Sequence, residues 1–276
     1  MIRLFMSTDL AGSTLYKANC AHKGDANWLD VFRGFFRDYP LVVMGQVGME
    51  FLAEDRLPEV SVWKFMGDEA IFTCVPQSPA EVTSLVRAHL QAMAAYERQY
   101  LADLPLRLKG TAWLAAFPSP NIEIEVPELA QREGAMQTDF IGPDIDLGFR
   151  ISKFSAPGTV CVSLDVLEAV LRAENRDLLD FFLVGREELK GVLFGRPYPA
   201  IWAVPAGEPP NFLPWEIEDS PRIAKAVAEG PAAPEKLAQA IDGIRLFLHK
   251  MHGARVPPIR FDSEAAPARR RRRKAA

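Results

Sequence analysis

Along the first 204 residues the apolar positions recur in two alternating periods, of about two and about 3.6 residues, as expected of a chain that alternates strands with helices. Residues 2–7 (IRLFMS) read as a strand running into Asp9. Residues 28–39 (WLDVFRGFFRDY) place apolar side chains at 28, 29, 32, 35, 36 and 39, a helical spacing. Pro40 is expected to end that helix, because it lacks an N–H and its ring clashes with the preceding turn. Residues 59–65 and 70–75 read as strands flanking Met66-Gly67-Asp68-Glu69, the pattern of a hairpin. A long Ala- and Leu-rich helix is predicted over 78–100 and a strand over 106–117. Residues 118–136 read as a connecting insertion with one edge strand in NIEIEV. Gly142-Pro143 opens a helix, with proline where its missing N–H costs nothing. A short strand at 159–162 precedes Ser163, which caps a helix to about Ala173. Strands at 181–184, 188–194 and 200–204 are expected to close the region.

The pattern changes at Pro205. Prolines stand at 205, 209, 210, 214, 221, 231 and 234, so residues 205–234 read as a linker or a strap on the domain. Leu237, Ile241, Ile244, Leu248 and Met251 then form one stripe of an amphipathic helix. Packing on its own domain is favoured over pairing with a second chain, since the stripe is too short for a coiled coil. Everything after Arg255 is expected to be disordered. No internal repeat is visible. Three segments result: 1–204, 205–255 and a basic tail, 256–276.

Charge changes this picture in one respect. Arg269 to Lys274 (RRRRRK) carry +6 of a net −4, so the rest of the chain carries −10 (−4 minus 6). The folded body is acidic, which argues against a nucleic-acid-binding surface on it. Cys20, Cys74 and Cys161 are odd in number and form no CxxC or Cys/His cluster, so neither a zinc site nor a disulfide framework is expected. MIRLFMSTDL is too short in apolar residues for a signal peptide, and no run of about 18 apolar residues exists for a membrane span. A cytoplasmic protein is expected.

Three short segments carry chemistry. In Phe5 to Thr14 (FMSTDLAGST) a strand ends at Asp9 and a Gly-Ser-Thr turn follows. A carboxylate there suits Mg²⁺, and backbone N–H groups at a helix start suit phosphate. Taken alone, an Asp capping a helix is the commoner meaning. In Val62 to Glu69 (VWKFMGDE), Asp68 occupies a hairpin turn, where Asp beside Gly is common. In Asp139 to Arg150 (DFIGPDIDLGFR), Asp146 and Arg150 lie four apart on one helix face, the spacing of an ordinary surface salt bridge.

Taken together, in order and spacing, these segments resemble the class III nucleotidyl cyclase catalytic domain, the adenylate and guanylate cyclase family. The resemblance spans residues 1–204 and also includes APGTVCVS from Ala156 and the Leu189-Lys190-Gly191 triplet. It implies an α+β fold with a ferredoxin-like βαββαβ core, here followed by a C-terminal helical extension. It implies a head-to-tail homodimer whose sites are shared between subunits. Asp9 and Asp68, with Leu10, are implied to hold two Mg²⁺ or Mn²⁺ ions per site. Lys64 and Asp139 are implied to read the base, and Gly12, Ser13, Thr14 and Lys190 to meet phosphates. Arg150 is implied to stabilise charge on the α-phosphate, and Asp146 stands where the family usually has the Asn that positions the ribose. Asp9 and Asp68 would come from one subunit, and Lys64, Asp139 and Arg150 from the other. A second departure is Trp113-Leu-Ala-Ala-Phe-Pro, where the family usually has a His- and Gly-rich segment. The four histidines, 22, 89, 249 and 252, lie outside every motif.

A Lys/Asp pair is compatible with adenine, uracil and guanine, each of which offers an acceptor beside a donor; cytosine reverses the order. The chain further resembles the pyrimidine nucleotide cyclases of bacterial Pycsar anti-phage systems. The shared features are STDLAGST, the 28–40 helix pattern, the missing Asn, the closing PYPAIW (Pro197 to Trp202) and the expected lack of any sensor or membrane segment before the catalytic region. UTP is the implied substrate ahead of CTP, with cyclic UMP acting on a separate effector. The rival readings are an adenylate cyclase and a catalytically silent nucleotide-binding dimer module.

Overall fold

The computed structural model describes residues 1–24, 26–126, 137–254 and 256–261. Its centre is a sheet of seven strands in the order β2-β3-β1-β4-β7-β9-β8, antiparallel except for the β4–β7 pair. The strands are β1 Ile2–Ala11, β2 Ser61–Met66, β3 Glu69–Cys74, β4 Arg107–Ala116, β7 Val160–Val162, β8 Leu179–Glu187 and β9 Tyr198–Pro205. A separate hairpin pairs β5, Ile122–Val126, with β6, Gln137–Ile141. The helices are α1 Ser13–His22, α2 Asn27–Glu50, α3 Pro79–Tyr96, α4 Pro143–Ile151, α5 Leu164–Arg172, α6 Pro214–Asp219, α7 Pro221–Glu229 and α8 Pro234–His252. The neighbours β2-β3-β1-β4, with helices crossing before β2 and before β4, form the expected βαββαβ core.

The period-2 alternation of β1 divides the sheet into two chemically different faces. Leu4, Met6 and Leu10 point to one face and join Phe35, Tyr39, Val86 and Val166 in the main core. Phe5 points to the other, where it stacks on Trp113 at 5.3 Å and meets Trp63 and Phe140 edge-on. This second aromatic core lies beneath the β5–β6 hairpin and α4. Ser7 and Asp9 continue the same face beyond the aromatic cluster, so apolar packing gives way to polar groups along a single strand.

Four expectations need correction. Pro40 does not end a helix: it is buried inside α2, which continues to Glu50. An interior proline costs about 3 kcal/mol. Burying Tyr39, Val43 and Val47 against the core returns about 1.5–3 kcal/mol for each such large side chain, so packing outweighs the local penalty. Residues 188–194 form no strand; Gly191, Leu193, Phe194 and Gly195 all have positive φ, which is incompatible with extended pairing. Residues 205–234 are not merely a strap. Pro214 and Pro221 occupy first-turn positions of α6 and α7, and Ser220 caps α7. Residues 256–261 are ordered against the core, with Phe261 buried and Arg172 Nη2 donating to the Ile259 carbonyl at 2.7 Å. The α8 stripe packs on its own chain through Leu237, Ile241, Ile244 and Leu248, and Met251 is exposed. The expectations for 127–136, and for the tail from 262 onward, lie outside the described residues.

Candidate functional site

Asp9 lies near the end of β1, with Glu69 of β3 on one side and Lys109 of β4 on the other. Lys109 Nζ is 2.8 Å from Asp9 Oδ2. Asp68 occupies the β2–β3 turn, which Gly67 closes with φ +64°. The turn is tied back to β1 by the Leu10 N–H, which donates to the Asp68 carbonyl at 3.3 Å. Ser13 Oγ donates to the Asp68 carboxylate, and Lys17 Nζ stands 3.9 Å from it. The two sequence-predicted acids therefore meet in one cavity of about 220 Å³, lined also by Ser7, Met66, Glu69, Lys109, Thr111, Ser152, Lys153 and Ser155. Leu10 buries its side chain in the main core, so only its backbone faces this neighbourhood.

Asp9 does not cap α1. The helix begins at Gly12, whose φ of +87° and contact with Pro105 leave no room for a side chain, and no side chain caps the first turn. Ser13 is buried and Thr14 exposed in that turn, beside Asp68.

Glu69 belongs to the same polar end and was missed as a site residue, although it adjoins Asp68. Burial raises its carboxyl above the ordinary range and the nearby Asp9 and Asp68 add to the rise, while Ser7 and Lys109 oppose it. Lys109 and Lys153 were missed as well. The alternation of β4 was visible, but which of its residues stands opposite Asp9 depends on strand register, which no local pattern specifies.

Lys64 and Asp139 are brought together: Lys64 Nζ donates to Asp139 Oδ1 at 2.7 Å and lies 4.0 Å from the Trp63 ring centroid. A β-bulge makes this possible. Val62 pairs with Phe72 and Lys64 with Ile71, so two steps along β2 answer one step along β3. Without the bulge Lys64 would share the main-core face with Val62; with it, Lys64 joins Asp9 and Trp63 on the other face. Burial works against ionisation of Asp139, but Lys64 and the Phe140 N–H hold its carboxyl below the ordinary value.

Arg150 and Asp146 lie on the outer side of α4, 3.6 Å apart and 35% and 60% exposed. Neither lines the Asp9–Asp68 cavity. Their helix is seated by Gly148, where an added Cβ would fall 2.2 Å from the Trp113 ring. Asp144 helps to anchor the helix start: its N–H donates to Asn121 Oδ1 at 3.0 Å, and Asn121 Nδ2 donates back to Asp144 Oδ2 at 2.6 Å. Lys190 is exposed on the β8–β9 connection, at the far side of the sheet from β2, and does not line the cavity either.

His89 is buried behind the site. Behind Asp9, Thr8 Oγ1 bonds both His89 Nε2 at 2.6 Å and Tyr39 Oη at 2.7 Å in the main core. Burial lowers the His89 pKa to about 3, which keeps the ring neutral.

The donor set at Asp9 and Asp68 is chemically apt for a hard divalent ion. Among the described residues no three His, Cys, Asp or Glu side chains form a metal-holding group by themselves. Two carboxylates nonetheless suit Mg²⁺, which usually combines one or two of them with water and substrate phosphates.

No protein-family model and no curated protein matches the sequence. Solved structures do resemble the fold. The adenylyl cyclase CyaB from P. aeruginosa superposes with a TM-score of 0.50 at 16% identity, over 76% of this chain and 97% of that one. The catalytic core of a rhodopsin-guanylyl cyclase with converted specificity, in complex with ATPαS, gives 0.51 at 10% identity, over 74% and 95%. Adenylate cyclases from Trypanosoma brucei in their monomeric state give 0.50 at 15% identity, over 77% and 91%. At such identities the likeness is one of fold: this chain has the α+β fold of adenylyl and guanylyl cyclase domains.

Proposed function

We propose that the chain is a class III nucleotidyl cyclase, converting a nucleoside triphosphate into a 3′,5′-cyclic nucleotide and pyrophosphate. The observation that carries this reading is the meeting of Asp9, from a strand end, and Asp68, from a hairpin turn, in one polar cavity on a cyclase fold. We assign catalysis to residues 1–204 and treat 205–255 as an appended element.

In this reading Asp9 and Asp68, with the Leu10 backbone, hold two Mg²⁺ or Mn²⁺ ions, and Gly12, Ser13 and Thr14 at the start of α1 receive phosphate oxygens. Bound there, the metal would acidify the ribose 3′-OH and neutralise the triphosphate. The attack is intramolecular, so the chain's own task is chiefly to orient the 3′-OH toward the α-phosphorus. Lys64 and Asp139 hold the base edge. Arg150 stabilises the charge that develops on the α-phosphate, and Lys190 meets the terminal phosphates. Asp146 stands near the ribose, where its charge is balanced by Arg150. The position of Asp146 and the partly exposed Arg150 outside the Asp9–Asp68 cavity favours a homodimer in which α4 of one copy completes the site of the other.

The substrate we favour is UTP, ahead of CTP, with cyclic UMP signalling to a separate effector in bacterial anti-phage defence and the protein acting in the cytoplasm. No helix among the described residues is long and apolar enough to cross a membrane. The Lys64–Asp139 pair also supports ATP as a second reading, since adenine offers the same acceptor and donor. Incubation with Mn²⁺ or Mg²⁺ and each of the four NTPs, with products identified by mass spectrometry, separates these readings. Cyclic UMP is expected. Cyclic AMP alone would move the chain to the adenylate cyclases, and nucleotide binding without product would make it a silent module.

A further inference from the structure

A lysine on an interior strand, aimed at a strand-end aspartate, is an unusual choice for a site read as binding divalent metal. β4 is flanked by β1 and β7, where lysine is a disfavoured residue. Yet Lys109 stands directly across from Asp9 in the β1–β4 register, and its ammonium lies 2.8 Å from Asp9 Oδ2. Both side chains are only 29% exposed, so the pair is partly shielded from solvent. The same cavity also holds Asp68 and Glu69. Three carboxylates on two adjoining strands and the turn beside them repel one another, and a cation anchored among them relieves that repulsion.

We propose that Lys109 is a tethered counter-ion of this site, which a divalent cation must displace from Asp9, so that this lysine sets the metal concentration the chain requires. The proposal rests on the reading of Asp9 and Asp68 as the metal-holding pair. An ammonium and a divalent cation compete for the same carboxylate oxygen, and they repel each other if both remain beside it. Lys109 cannot leave, because its stem is fixed on β4. Once displaced, its head stays in a cavity of about 220 Å³ that also contains Thr111, Ser152 and Ser155. There it is available to an anionic group of the substrate, so metal entry prepares a cationic contact for the triphosphate. Lys109 acts here as a positioning residue, not as an acid or base.

Mn²⁺ binding to the full chain, without nucleotide, tests this through the loss of the free-ion electron paramagnetic resonance signal. Lys109→Met and Lys109→Gln should each bind Mn²⁺ about fivefold more tightly than wild type, equivalent to about 1 kcal/mol. Lys109→Arg should stay as weak as wild type, which a merely packing role for the side chain would not require. Asp9→Asn should abolish binding in every background. If Asp9→Asn abolishes binding but the methionine and glutamine variants match or fall below wild type, the counter-ion role is overturned and the metal reading survives. If Asp9→Asn changes nothing, or no Mn²⁺ binds to any form, the metal reading fails and the counter-ion role with it. Circular dichroism melts of each variant show that it is folded before titration.

Discussion

The cavity around Asp9 and Asp68 and the outer side of α4 are built in opposite ways. In the cavity every predicted acid already has partners within the chain: Lys109 for Asp9, Ser13 and Lys17 for Asp68. On α4, Arg150 and Asp146 pair weakly with each other at 3.6 Å, Asp146 open to solvent and Arg150 partly so. The cavity is lined mainly from β1, β3, β4 and the β2–β3 hairpin, whose geometry hydrogen bonding over-determines, with Ser152, Lys153 and Ser155 from the turn after α4 closing one side. The α4 surface is made by one helix, seated through Gly148 and the Asn121–Asp144 pair, and its Arg150 and Asp146 lie outside the cavity. A surface ion pair of this kind contributes little to stability. In the proposed two-chain site, the cavity is the half that one chain packs by itself, and α4 is the half it would lend to a second copy.

The largest effects should come from the cavity. Asp9→Ala and Asp68→Ala should each reduce product formation to background in the four-NTP assay; substantial turnover in either would remove the metal assignment. Arg150→Ala should lower kcat by about 10²–10³-fold, or about 2.7–4 kcal/mol of barrier, if it acts as a preorganised donor to the transition state. A fall of less than tenfold contradicts that role. The two defects should also complement each other. In a mixture of Asp9→Ala and Arg150→Ala chains, each heterodimer regains one intact site, so about a quarter of wild-type activity is expected after random exchange. Continued inactivity of the mixture would place both residues in the same subunit's site.

Gly148→Ala sharpens the comparison more gently. Its methyl group must push α4 away from Trp113, at a cost of about 1–3 kcal/mol in urea denaturation. Activity should fall as Arg150 is displaced, while Mn²⁺ affinity at Asp9 should stay unchanged. A parallel loss of both would show that the halves are not independent.

The smallest effect is one of pH and reaches the cavity from behind. His89 has a pKa of about 3 in the fold, against about 6.5 in the unfolded chain. Between those values the unfolded state binds more protons, so stability is full above about 6.5 and falls as pH drops toward 3. The slope approaches at most about 1.4 kcal/mol per pH unit. Urea midpoints at pH 7 and pH 5 should reveal it, and His89→Gln should flatten it. An unchanged slope in that variant would assign the acid sensitivity to other groups.

Much of this molecule was legible in local pattern. Period-2 runs located most of the strands, though not β6, Gly67-Asp68 marked the hairpin, and Ser163 marked a helix start that its side chain does cap. These features were readable because alternation, turn chemistry and capping act over a few residues. Pro40 misled because the burial that carries α2 past it comes from strands and helices far along the chain. Residues 188–194 misled because their apolar content resembles a strand, while their positive φ values arise in a connection whose Leu189 is buried in a further cluster with Phe154, Tyr198 and Trp202.

By itself, therefore, the sequence determined most of the elements of the βαββαβ core, the alternating faces of its strands and the two acids that the proposed chemistry needs. Tertiary structure alone decided that the Trp63 bulge turns Lys64 toward Asp139, and that β-strand register sets Lys109 opposite Asp9. It likewise decided that Arg150 lies outside the Asp9–Asp68 cavity. The physical reason is common to all three. A side chain's face depends on how its strand or helix is aligned with a neighbour distant in sequence, and a one-residue shift in that alignment reverses the outcome without altering any local pattern.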